Sequence, residues 1–348
     1  MYCDSEKLKL FVKKVMKSAG LPEVPAALFA DSLVFADMRG VSSHGVTRLA
    51  VYRKRLQSGQ VDPIAMPEVT KAYPSMIHID GHNTMGAPLA MHAMEECVKR
   101  AKVSGACFAA INHGNHFGCA GYFTKYAAEQ GMIGVAMATA NAIVAPTGSK
   151  QPMLGTNPFS IAIPAYEKAP FILDMATSVV ANGKIVLARK EGHDIPAGWG
   201  MDENGVVTTD PNQVKFLMPF GDYKGYGVSL AIEMLSSVLA RAENSRTAGS
   251  FWKPGDGNVQ GTGFFVGAIN PGAVMDPVEF AKGISATIDE MKAAKIADGA
   301  TEVLVAGEPE QRKYEAALKD GVYVSDVVIE ELKKLGEECG VEFDVAMA

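Results

Sequence analysis

The chain has 348 residues, a formal net charge of −6, and 48% hydrophobic against 21% charged residues. These totals suit a globular protein of two or three domains with ample core, and the acidic balance with scattered basic residues argues against nucleic acid or an anionic membrane as a main partner. No run of about 18 apolar residues is present, so no membrane span is expected. The N-terminus, Met1-Tyr2-Cys3-Asp4-Ser5-Glu6-Lys7, carries no apolar signal core, which places the protein in the cytoplasm. The five cysteines are odd in number and form no Cys-x-x-Cys, which disfavours a disulfide framework and a thiolate zinc site. The 18 methionines read as adaptable core filling.

Helical spacing of Leu8, Phe11, Val12, Val15 and Met16 predicts a helix over 5–19, closed by Gly20. A second follows Val24, with Pro25 in its first turn, and ends before Gly40. A third is expected from about Gly45 through Arg48, Tyr52 and Leu56, so that His44 sits at a helix start that favours anions. Residues 75–79 read as a strand, 86–103 as a helix, and Cys107–Ile111 as a strand running into the loop His113–Gly118. Residues 120–130 are helical in pattern, and Ile133–Ala138, Phe159–Ile163 and Phe171–Leu173 are strands. A helix over 179–190 leads into a Pro- and Gly-rich loop over 193–222.

Tyr223–Ala242 is the longest helical pattern and is apolar enough to predict a buried central helix. Residues 244–261 are polar and Gly-rich, as in a mobile loop. Gly263–Ile269 is a strand, 277–296 an amphipathic helix, and Glu302–Val305 a strand. Two helices close the chain near 309–319 and 326–339, the second capped by Ser325. Alternating strands and helices make this an α/β protein.

The chemistry concentrates in two segments. Arg39-Gly-Val-Ser-Ser43-His44-Gly-Val-Thr-Arg48 packs a proton-transfer group, a hydroxyl and an anion clamp into ten positions. Arg48 can grip a carboxylate with two prongs, as Lys cannot; the bland alternative is a surface turn with an exposed Arg. The second segment is His113-Gly114-Asn115-His116-Phe117-Gly118. His113, His116 and nearby Cys119 invite a metal, but no further ligand cluster supports one, and a loop histidine at a strand end is better placed for acid/base work. Lys224 before Gly225-Tyr226-Gly227 puts a cation at a helix start, which a bound phosphate or carboxylate would offset. No Gly-x-Gly-x-x-Gly follows a strand and no Walker A sequence occurs, which disfavours an ordinary Rossmann domain.

Five motifs in order resemble the type-2 malate/L-lactate dehydrogenase family: the Arg39–Arg48 segment, Asn115-His116-Phe117-Gly118, Gly155-Thr156-Asn157-Pro158, Asp174-Met175-Ala176-Thr177 and Lys224-Gly225-Tyr226-Gly227. The likeness runs from about residue 5 to 340. It implies a non-Rossmann NAD(P)-binding α/β fold of mixed sheets. It further implies a helical domain of residues 1–74 with 309–348, an α/β domain of 75–140 with 262–308, and a nucleotide-binding domain over 141–261. By motif, His116 and His44 would be the acid/base residues, and Ser43 and Arg48 would contact the substrate carboxylate. Asp174, Met175, Ala176, Lys224, Gly225, Ala306, Gly307 and Glu308 would bind the cofactor, with no metal.

The resemblance implies a homodimer using NAD, with NADP as the alternative, to move a hydride between nicotinamide and a small 2-hydroxy/2-oxo acid. Reduction of a cyclic imino acid or a sugar diketo acid is the alternative within the family. A non-catalytic scaffold is the alternative outside it, and the intact Ser43, His44, Arg48 and His116 argue against that. There are departures from the family pattern. Asp222-Tyr223 precede Lys224 where Gly-Pro is common, residue 140 is Ala where the ureidoglycolate branch carries Ser, and the loop 244–261 is its own.

Overall fold

The computed structural model describes residues 1–347. β1 (Tyr2–Cys3) leads into α1 (Ser5–Ser18), which buries the predicted apolar stripe and is capped by the Asp4 carboxylate accepting from Lys7 N–H at 2.9 Å. α2 (Glu23–Met38) is buried along most of its length. The helix expected from Gly45 does not start there. Two 3-10 turns, Ser42–His44 and Val46–Arg48, come first, and α3 spans only Leu49–Gln57. The cause is Asp37 beneath the turn. Its Oδ2 accepts from Val46 N–H at 2.7 Å, and a Cβ at Gly45 would lie 2.0 Å from its Oδ1.

β2 (Glu68–Ala72), an exposed edge strand that the sequence pattern missed, pairs with β3 (Met76–Asp80). α4 (Gly86–Ser104), β4 (Ala106–Gly114), α5 (Ala120–Glu129), β5 (Ile133–Ala138), β6 (Phe159–Ile163) and β7 (Phe171–Met175) follow close to expectation. After α6 (Asn182–Glu191), the span read as loop contains β8 (Gly200–Met201), β9 (Val207–Thr208) and β10 (Phe216–Leu217), two-residue strands too short to show a period. α7 (Asp222–Glu233) continues as a π-helical stretch over Met234–Leu239, then β11 (Thr262–Ile269) and α8 (Pro277–Lys292). α9 (Glu308–Asp320), β12 (Val322–Tyr323) and α10 (Asp326–Cys339) end the chain.

One seven-stranded sheet runs in the order β2-β3-β4-β11-β5-β6-β7, and among the described residues only its β3–β4 pairing is parallel. β11 is its buried centre: Phe264 faces Ile111 on one side and Ala138 on the other. A bulge between Thr262 and Phe264 opposes the end of β4, which bends the chain just before Asn115. The two chain ends meet where β1 pairs with β12.

Two further expectations are corrected. The Tyr223–Ala242 helix is not a buried centre: Val228, Met234, Val238 and Leu239 are exposed, Val238 at 75%. Its buried face carries Ser229, Ser236 and Ser237, and the backbone comes so close to β11 that a Cβ at Gly263 would lie 1.7 Å from Ser236 O. Serines and Ile232 pack inward, while Val228, Met234, Val238 and Leu239 turn out. Glu302–Val305 forms no strand, because Lys292 Nζ takes Val303 O and Glu308 Oε2 takes Val305 N–H. Ser325 holds the cap position of α10, but its side chain makes no capping hydrogen bond.

Candidate active site

The bulge delivers Asn115 inward and His116 toward the Ser43–Arg48 segment. Asn115 Nδ2 donates to Thr84 O at 2.9 Å and to Asn83 Oδ1 at 3.0 Å, while Gln260 Oε1 accepts the His116 N–H at 2.8 Å. The His116 ring lies between Phe251, 4.6 Å away, and His44, stacked at 5.6 Å with an interplanar angle of 17°. The Tyr52 hydroxyl lies 2.5 Å from His116 Nδ1, and the Ser43 hydroxyl 3.0 Å from His44 Nδ1. Both histidines are thus held through Nδ1 by a hydroxyl. Among the described residues neither Nε2 has a protein partner. A hydroxyl donates to a bare Nδ1 or accepts from a protonated one, so each anchor survives whatever proton change occurs at Nε2.

The electrostatics keep both rings neutral. Burial, and then Arg48, bring His44 down to about 4. Burial, and then nearby His44, Arg48 and Arg55, hold His116 well below the ordinary histidine range. Burial likewise raises the Tyr52 phenol, so it stays protonated.

Arg48 donates through Nε to Ser43 O at 2.6 Å, and its guanidinium lies 3.9 Å from the Trp252 ring centroid. Among the described residues nothing accepts from its two Nη groups. His44 and Arg48 therefore meet through Ser43, not by sharing an α-helical face.

Asp174 ends β7, and its Oδ2 accepts from Gly121 N–H at 2.7 Å and from the Cys119 thiol at 3.1 Å. Met175 and Ala176 follow, and Thr177 O accepts from Phe220 N–H at 3.1 Å, which lays the Lys224–Gly225 turn beside them. Gly225 admits no side chain, since a Cβ would lie 1.5 Å from Phe220 O. Gly307 packs on Ile172 O, 2.4 Å from where its Cβ would be, and Arg39 Nη2 donates to Gly307 O at 3.4 Å. Both Glu308 oxygens are taken by Lys292, and Arg312 joins them, so that turn presents Ala306 and Gly307 backbone.

These segments fit the phosphates of a dinucleotide. α6 and α7 each begin without a side-chain cap, leaving first-turn N–H groups open, and exposed Lys224 has no acceptor among the described residues. The first turn of α6 also reaches the histidine segment, with Gly183 within 3.5 Å of Ser43 Cβ as measured from an added Cβ.

His113 does not converge with His116. It is exposed and bonds Asp80 Oδ1 at 2.8 Å. Among the described residues no three His, Cys, Asp or Glu side chains are arranged to hold a metal.

Sequence reasoning missed Tyr52, Arg55, Gln60, Phe251 and Trp252. Tyr52 follows Arg48 by four residues, a spacing that was visible, but a tyrosine in a helix reads as core. The segment 244–261 is not a free loop. Asn141 Nδ2 holds Ala248 O and Gly249 O, Arg55 Nη1 holds Ser250 O, and Gln60 Nε2 holds Lys253 O, Asp256 Oδ1 and Asn258 O. Its polar composition reflects groups satisfied by buried side chains, which composition does not distinguish from groups satisfied by water.

Two imidazoles with open Nε2 atoms beside an open guanidinium edge are groups able to take a small carboxylate and to exchange a proton with a neighbouring oxygen. Residues 3–333 match the malate/L-lactate dehydrogenase family. The chain is 36% identical over 347 residues to a malate dehydrogenase of Pyrococcus horikoshii, covering 97% of this chain and 95% of that protein. It is 36% identical to the L-sulfolactate dehydrogenase of Methanocaldococcus jannaschii over 99% of both. The solved structure of a sulfolactate dehydrogenase from that organism superimposes with a TM-score of 0.92 over 98% of each chain. The ureidoglycolate dehydrogenase (NAD(+)) of Escherichia coli is 32% identical over 95% of both. The chain belongs to the malate/L-lactate dehydrogenase family.

Gln60 is the main clamp on the loop that carries Phe251 and Trp252, and its Oε1 accepts from Gly255 N–H at 2.7 Å. In Gln60→Ala, amide exchange at Gly255 is expected to accelerate at least ~10-fold, since each lost hydrogen bond is worth about 1 kcal/mol. Unchanged exchange would mean the loop is held elsewhere.

Proposed function

We propose that this chain, as a homodimer, interconverts a small 2-hydroxy acid and its 2-oxo acid using a nicotinamide cofactor, NAD ahead of NADP. The observation that carries the reading is the pair of histidines with anchored Nδ1 and free Nε2 next to the open Nη edge of Arg48. The two Nη groups take the C1 carboxylate, which sets the C2 oxygen toward the histidine Nε2 atoms. In oxidation His116 Nε2 takes the hydroxyl proton; in reduction it returns one. His44, stacked against it, is the second proton-transfer group, and Ser43 orients it. A bound nicotinamide supplies the two-electron chemistry as a hydride donor or acceptor at C2. Lys224 and the first turns of α6 and α7 are the groups that would hold its phosphates, with Asp174, Met175, Ala176, Gly225, Ala306, Gly307 and Glu308 around them. Asp174 Oδ1, without a partner among the described residues, would accept a ribose hydroxyl, which favours NAD. The second copy covers the outward apolar side chains Val228, Met234, Val238 and Leu239.

The test is oxidation of NADH and NADPH against pyruvate, oxaloacetate, 2-oxoglutarate, sulfopyruvate, oxalurate, diketogulonate and a cyclic imino acid. Turnover of a 2-oxo acid is expected, with His116→Ala about 10²–10⁴-fold slower while NADH still binds. Turnover of the imine alone would replace the hydroxy-acid reading. Silence with no nucleotide binding would leave a scaffold. In the oxidative direction the base must be neutral, and both histidines charge only well below pH 6.5. The acid limb of kcat/KM therefore falls well below the ordinary histidine range, where His116 charges. A limb at the ordinary histidine pKa would remove both rings from the role. Sedimentation should give twice the 36.9 kDa chain mass, and a monomer at working concentration would overturn the dimer.

A further inference from the structure

Two constraints act on Arg48. Its Nε–H is held by Ser43 O at 2.6 Å, and its Cζ lies over the Trp252 ring, 3.9 Å from the centroid. The first fixes where the fork points, and the second fixes its tilt. Trp252 is 54% exposed, although the backbone around it is pinned on both sides, at Ser250 O by Arg55 and at Lys253 O by Gln60. Its neighbour Phe251 is the buried member of the pair, seated on Tyr52 at 5.0 Å and on His116 at 4.6 Å. So Phe251 closes the core of the loop, and Trp252 meets two groups, the Phe251 ring at 5.1 Å with an interplanar angle of 79° and the Arg48 guanidinium.

We infer that Trp252 is a positioning residue for the substrate carboxylate, holding Arg48 flat so that both Nη groups meet the two carboxylate oxygens without rearrangement. The inference rests on the reading of Arg48 as the carboxylate clamp. A guanidinium stacked on an indole keeps its N–H edge free, because stacking uses the face and hydrogen bonding the edge. A carboxylate can therefore dock in the plane with Trp252 still in place. An arginine without the stack must be ordered as the substrate binds, and that cost falls on the ground state and transition state alike. Losing Trp252 thus raises KM and spares kcat.

Trp252→Ala, Trp252→Phe and Arg48→Lys are compared with the parent enzyme, using NADH and the 2-oxo acid turned over fastest in the panel above. Trp252→Ala is expected to raise KM about 10-fold. Its kcat should stay within about 3-fold, and NADH affinity should not change. Trp252→Phe restores an aromatic face and should return KM to within about 3-fold of the parent. A purely structural role would move kcat and NADH binding as well, and Phe would not rescue it selectively. If Trp252→Ala leaves KM unchanged while Arg48→Lys raises it, the clamp stands and the inference about Trp252 is wrong. If Arg48→Lys also leaves KM unchanged, the clamp reading fails and takes this inference with it.

Discussion

The site depends on a buried cation that, among the described residues, has no carboxylate in contact with it. Arg55 is 1% exposed, yet its guanidinium donates to Ser250 O at 2.9 Å and to Asn115 Oδ1 at 3.4 Å. Burying such a charge is costly unless oxygens satisfy it. Here the acceptors come from two other segments, so α3, the loop after β4 and the 244–261 segment hold together only in this arrangement. Asp256 lies near enough to favour the charge. The same positive charge acts with Arg48 and His44 to keep His116 neutral. One residue thereby fixes the geometry of the acid/base ring and sets its charge.

Around this centre the fold separates two tasks. The side proposed for the substrate is built from the Ser42–Arg48 turns, α3, the end of β4 and the Phe251-Trp252 pair. The side proposed for the cofactor is built from the end of β7 and the first turns of α6 and α7. The two sides meet where Gly183 approaches Ser43. The β11 bulge serves both, because it ends the pairing with β4 and releases the Asn115–His116 loop toward the histidine turn. A seven-stranded sheet with its long buried strand at the centre supplies the rigid floor for these loops.

Much of this was legible in order along the chain. The stripes of α1, α4 and α5 show their period plainly, because each buries one face against a neighbour close by, and β5, β6 and β11 show as short apolar runs because the sheet buries them. His44, Arg48 and His116 stood out because their chemistry is rarely decorative at loop positions. The errors share a cause. The Tyr223–Ala242 pattern was apolar, but apolarity does not say what covers it, and within one chain the serines face the sheet. The 244–261 segment was polar, but polarity does not distinguish water from Asn141, Arg55 and Gln60 as partners. Val303 and Val305 looked like a strand until Lys292 and Glu308 took their backbone groups.

The sequence alone determined the helices and strands with local periodicity, the family through its ordered motifs, and the residue types able to move a proton or grip a carboxylate. These are local properties, set by spacing along the chain and by side-chain chemistry. Tertiary structure alone decided that Tyr52 and Ser43 anchor the two rings, that Trp252 flattens Arg48, that Glu308 is occupied by Lys292, and that His113 turns away to Asp80. Each of these pairs a residue with a partner that sequence spacing does not specify. Even Ser43 and His44, adjacent in the chain, needed the Asp37-built turn to bring hydroxyl and ring nitrogen together. Hydrogen bonds and stacking act over a few ångströms, and only the folded chain states which side chains come within that range.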